Sequence, residues 1–133
     1  MRRGNDETRA SLIIMSDIRS GNEIAEILQL TPAKIFAKGP PSAQSDIPEP
    51  PINMVMFASR LGPEEDLARH IEAILDMCEA VKEPLLKLPN DCRLIVQCNY
   101  LVCQEGGWTI TPHLSQRMAS LPLEYVFSID TTK

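Results

Sequence analysis

The segment Ser20 to Gly39, SGNEIAEILQLTPAKIFAKG, writes a helix, a turn and a strand and then runs into a proline-rich stretch. Ser20 and Glu23 have the S-x-x-E spacing at which a hydroxyl accepts from the N–H of the third helical residue while the carboxylate reaches back to the cap. Ile24, Ile27 and Leu28 then share one helical face. Thr31-Pro32 should end the helix, because a residue before proline is pushed out of the α region. Ala33 to Ala37 should follow as a strand.

The rest of the chain extends this grammar. Arg9 to Met15 reads as a strand, and its two apolar faces near the end suit a central position in a sheet. Five prolines between Lys38 and Pro51 exclude helix interior and sheet centre, whereas Ile52 to Ala58 resumes as a strand. Gly62 is a cap candidate for a long helix with Pro63 at its first position and Glu64, Glu65 and Asp66 in its first turn, where the helix dipole favours negative charge. Its core stripe is Leu67, Ile71, Ile74, Leu75 and Cys78, and Pro84 ends or kinks it. Cys92 to Leu101 is a strand, Gln104 to Gly107 a turn, and Trp108 to Ile110 a short partner strand. Thr111 caps a further helix with Pro112 at its first position and Leu114, Met118 and Leu121 on one face. Leu123 to Ile129 closes the chain as an alternating, half-buried strand.

The order β-α-β-β-α-β-β-α-β favours an α+β fold: a mixed, mostly antiparallel sheet with helices packed on one face. At 133 residues the chain fits a single domain, with 1–8 as a flexible arm and 38–51 as a proline-rich loop. Its apolar runs are far shorter than the roughly 20 residues a membrane helix needs, and no apolar stretch follows Arg2 and Arg3 as a secretory signal would require. The expectation is a cytoplasmic protein with no membrane partner. A formal charge of −5 with scattered basic residues argues against nucleic acid, whose binding depends on clustered lysine and arginine.

The chemistry-bearing residues are sparse. Glu64, Glu65, Asp66, Glu72, Asp76 and Glu79 crowd one segment, a solvated face or a surface that steers a basic protein partner. His70 follows Asp66 by four residues, a spacing at which a carboxylate can orient an imidazole, but no serine or cysteine adjoins the pair in sequence. The cysteines Cys78, Cys92, Cys98 and Cys103 fall as C-x13-C-x5-C-x4-C, without the paired knuckles of a structural zinc site. Buried, reduced thiols are expected, with no metal and no cofactor. Gly39, Gly62 and Gly106-Gly107 are isolated glycines that form no phosphate-cradling loop.

EIAEILQLTPAKIFAKG over Glu23 to Gly39 and LSQRMASLPLEYVFSI over Leu114 to Ile129 carry a resemblance. With the variable loop, the methionine-rich strand and the acidic helix between them, they resemble the bacterial family called domain of unknown function 4279 from Thr8 to Asp130. Where members of that family often carry a tryptophan after the loop, this chain has Met54-Val55-Met56-Phe57. The resemblance implies a small cytoplasmic bacterial domain, and by analogy an immunity-type or adaptor role. Three functions follow as expectations. The first is a non-enzymatic protein-binding module that uses its acidic helix, loop or sheet edge. The second is a ligand-binding domain or enzyme whose site joins Lys34, Lys38, Trp108 and His113 across the sheet. The third is a homodimer paired through an exposed strand such as Ile52 to Ala58.

Overall fold

The fold was obtained as a computed structural model, which describes residues 7–37, 52–102 and 107–131. The elements are β1 (Glu7–Ser16), α1 (Gly21–Leu28), β2 (Lys34–Phe36), β3 (Asn53–Ala58), α2 (Leu67–Ala80), α3 (Lys82–Leu86), β4 (Arg93–Val102), α4 (Pro112–Ala119) and β5 (Glu124–Thr131). The five strands form one sheet in the order β2-β3-β1-β4-β5. All neighbouring pairs are antiparallel except β4 and β5, which run parallel. The sheet is therefore mixed and mostly antiparallel, and β1 holds the centre that its apolar faces predict.

One sheet face carries the core. Leu12, Ile14, Val55, Phe57, Val96 and Cys98 point from β1, β3 and β4 into a layer formed by Ile24 and Leu28 of α1 and the α2 stripe. Leu67, Ile71, Ile74, Leu75 and Cys78 are all buried, as their 3.6-residue spacing requires. On the opposite face Ile13, Met15, Met54 and Met56 are half-buried.

Several boundaries depart from expectation for identifiable reasons. The Ser20 hydroxyl accepts from the Glu23 N–H at 3.1 Å, but the Glu23 carboxylate takes Arg19 at 2.7 Å instead of closing the capping box. α1 ends at Leu28, because Gln29 turns left-handed at φ 57° and its N–H returns to Ala25 and Glu26; Ile27 is left 38% exposed. α2 begins at Leu67 and not at Pro63. The Pro63 carbonyl accepts from the Thr8 N–H at 2.9 Å and the Glu65 carbonyl accepts from the Thr8 hydroxyl, so the acidic turn is tied to β1 rather than wound into the helix. Glu7 and Thr8, assigned to the flexible arm by sequence, are the first residues of β1. Trp108 to Ile110 is not a strand, since β1 and β5 occupy both edges of β4. β3 is likewise flanked by β1 and β2, so Ile52 to Ala58 presents no free edge over the paired residues. The proline-rich loop lies outside the described residues.

Candidate functional site

His70, in the first turn of α2, is 1% exposed. Its Nε2 lies 3.0 Å from the Gly62 carbonyl oxygen, which can only accept, so that nitrogen carries the hydrogen. Burial lowers the imidazole pKa, against the opposing pull of the Gly62 hydrogen bond and of Glu65, Glu64 and Asp66, and favours the neutral ring. Nδ1 is then free to accept from the Ser59 hydroxyl at 2.6 Å. Leu61 N–H donates to the same hydroxyl oxygen at 3.4 Å, and Arg60 between them sits at φ 68°, a left-handed conformation that costs a side-chain-bearing residue about 1–2 kcal/mol. Asp66 makes no side-chain capping bond to the helix. The partner of His70 comes from eleven residues upstream, through a turn with no sequence signature. Hydroxyl and imidazole have the polarity of a nucleophile and base. Their placement is that of a latch: both ring nitrogens are spent inside the protein, one on the end of β3 and one on the turn before α2.

The acidic residues divide into two groups. Glu64, Glu65 and Asp66 lie in the turn ahead of α2, and Glu72, Asp76 and Glu79 lie on the helix. Arg117 of α4 crosses to this second group, with Nη2 2.7 Å from Asp76 and 3.1 Å from Glu79, and its own side chain is 19% exposed. The carboxyl-terminal part of the acidic face is thereby answered within the chain.

The second candidate set does not converge. Lys34 stands on β2 with its ammonium 5.6 Å from the Phe36 ring centre, while Trp108 stacks on Phe127 of β5 at 5.1 Å. These strands are opposite edges of the sheet, about 19 Å apart at a spacing of about 4.8 Å per strand. His113 is exposed in the first turn of α4 and borders, with Glu72, Thr109, Thr111 and Arg117, a cleft of about 140 Å³. Lys38 lies outside the described residues.

At the other end of β1 the buried Ser16 hydroxyl donates to the Asp91 carboxylate and accepts from the N–H groups of Ile18 and Arg19 at 3.1 and 3.0 Å. That hydrogen bond and the Arg19 charge hold the Asp91 carboxyl below its ordinary range. Cys92 borders a neighbouring cleft of about 350 Å³ with Leu85, Leu88, Arg93 and Glu124, but burial raises its thiol pKa and disfavours the thiolate. Cys78 and Cys98 are buried, and desolvation pushes each up to about 12. Cys103 lies outside the described residues; among those described, no cysteine is in a disulfide and no cluster of His, Cys, Asp or Glu could hold a metal ion.

A different surface emerges at β5. Among the described residues the strand is paired on one side only. Val126, Phe127 and Ile129 are 40%, 37% and 59% exposed, and no lysine or proline interrupts the strand. Beside it, Met118 and Ala119 of α4 and Ile110, Leu121, Leu123 and Tyr125 border an apolar groove of about 390 Å³. β2, the other edge, is only three residues long and carries Lys34, two features that protect an edge from pairing. Alternation of apolar residues made β5 legible as a strand, but its unpaired edge depends on the parallel pairing with β4, which the sequence does not announce.

The described residues thus form a single-sheet α+β fold with helices on one face, an internally satisfied histidine and one long unprotected strand edge. The chain belongs to the family described as domain of unknown function (DUF4279), whose model matches residues 6–132. No curated protein and no solved structure matches it. Among the described residues no helix is long and apolar enough to cross a membrane.

Proposed function

We propose that the chain is a non-enzymatic protein-binding module whose docking element is the outer edge of β5 together with the groove between β5 and α4. The observation that carries this reading is an eight-residue edge strand with three exposed apolar side chains and no protecting charge in its middle. Addition of an extended segment to such an edge supplies main-chain hydrogen bonds for affinity and side-chain pockets for specificity. An immunity role is the special case in which the captured protein is a toxin.

Immobilised wild-type protein and the Ile129→Lys variant, exposed to the same cytosolic extract, test the reading. Retention by the wild type and its loss in the variant is the expected result. Retention that survives Ile129→Lys but is abolished by salt and by neutralising Glu64, Glu65 and Asp66 would transfer docking to the acidic turn and overturn the edge reading.

A further inference from the structure

The geometry points to a second copy of this chain as the occupant of the β5 edge, paired antiparallel about a twofold axis through Val126; this inference rests on the binding role of that edge. A twofold normal to the sheet brings each side chain opposite one on the same face, whichever residue lies on the axis. The choice of axis residue is therefore decided by what faces what. With Phe127 on the axis, Glu124 opposes the partner's Asp130 twice, and like charges directly opposite are destabilising. With Ser128 on the axis, the apolar Val126 opposes the partner's Asp130.

With Val126 on the axis, Tyr125 faces the partner's Phe127, Leu123 faces the partner's Ile129, and Glu124 faces the partner's Ser128. From Leu123 to Ile129 every apolar side chain then meets an apolar one. The groove supports the same register independently. Leu123, just ahead of β5, and Tyr125 within it border the groove, so the partner's Ile129 arrives on the groove side of Leu123. Ile129, at 59% exposure the most exposed large apolar side chain of the strand, exchanges solvent for that groove. Pairing of β5 in this way would join two five-stranded sheets into one of ten strands and remove the only long free edge among the described residues.

A cysteine scan in a background with Cys92 and Cys103 changed to serine reads the register directly. Residues facing across an axis have Cα atoms about 4.5–5.5 Å apart, within the range a disulfide spans. Val126→Cys should form a disulfide-linked dimer under mild oxidation at least tenfold faster than Ser128→Cys, whose two copies would stand about 14 Å apart at about 3.4 Å per residue. Light scattering at rising concentration should show a dimeric mass that Ile129→Lys reduces to the monomer with the circular dichroism spectrum unchanged. Equal or faster crosslinking through Ser128→Cys would overturn the register, and a monomeric wild type at 1 mM would overturn the second copy. In that last case retention of another protein by the wild type, lost in Ile129→Lys, would still uphold the edge as a docking element, so the two failures are distinguishable.

Discussion

The Ser59 hydroxyl lies 2.6 Å from Nδ1 of His70, and the opposite ring nitrogen donates to the Gly62 carbonyl at 3.0 Å. The Ser59 bond needs a neutral imidazole, because only an unprotonated Nδ1 can accept, whereas Nε2 donates to Gly62 in either protonation state. Burial places the folded-state pKa below the roughly 6.5 of an unfolded chain. Above that value the ring is neutral in both states and the latch contributes in full. As pH falls below it, the unfolded state takes up its proton first, and stability declines until the folded pKa is passed, by at most about 1.4 kcal/mol per pH unit. Urea unfolding of wild type and His70→Gln between pH 7.5 and 5 should show a difference that shrinks towards acid; a difference constant over that window would contradict the latch.

Removing the other partner probes the same contact at neutral pH. Ser59→Ala leaves Nδ1 as an unpaired acceptor on a ring that is 1% exposed. Loss of about 1–3 kcal/mol in unfolding free energy is expected, the penalty for a buried polar atom without a partner. Catalysis gives a different expectation, since a nucleophile can be removed without destabilising the fold.

What the sequence disclosed was what local periodicity controls. The α2 stripe, the Thr111 cap at 3.1 Å from the Leu114 N–H and the central place of β1 are consequences of side-chain pattern. Contacts made at long separation redrew the rest. Thr8 captures the carbonyls of Pro63 and Glu65 from 55 and 57 residues away, which moves the start of α2. Parallel pairing of β5 with β4 takes the edge that a 108–110 hairpin strand would need. The candidate site was the least legible part. Neither the free edge of β5 nor the Ser59 contact exists until the chain has closed on itself.

Gly21 opens α1, where alanine would ordinarily be the better helix former by about 1 kcal/mol. Here a Cβ would stand 2.8 Å from Ile35 Cγ2 and 3.2 Å from both the Met54 carbonyl oxygen and Val55 Cβ. Ile35 is 36% exposed and can yield, but the Met54 backbone belongs to β3 and is paired on both sides, with Met15 and Phe36. Overpacking costs about 1–3 kcal/mol, which exceeds the helix gain. Gly21→Ala should lower stability by about 1 kcal/mol in denaturant titration, and a stabilised variant would show that β2 yields at this contact.

Arg117 holds α4 against α2 through Asp76 and Glu79. Asp76 is 72% exposed, so each single pair is expected to contribute little. A double-mutant cycle between Arg117→Gln and Glu79→Gln should give a coupling of about 0.5 kcal/mol at low salt that falls in 1 M sodium chloride. A coupling insensitive to salt would assign the Arg117 contribution to packing of its covered stem.

Thiol chemistry separates the cysteines by burial. In a Cys103→Ser background at pH 8, a disulfide reagent should modify Cys92 first, because its side chain is half-buried at the rim of a cleft. Cys78 and Cys98 are buried and raised to about 12, so only about one in ten thousand of either is thiolate at that pH. Cys78 packs on α2 and Cys98 on β4, both within the core, so neither can meet the reagent without separating helix from sheet. Their labelling rate should therefore follow unfolding and accelerate in urea in step with the loss of helical signal. Modification of Cys98 at the rate of Cys92 in the absence of denaturant would instead reveal an opening of the β4 core that leaves the rest of the fold intact.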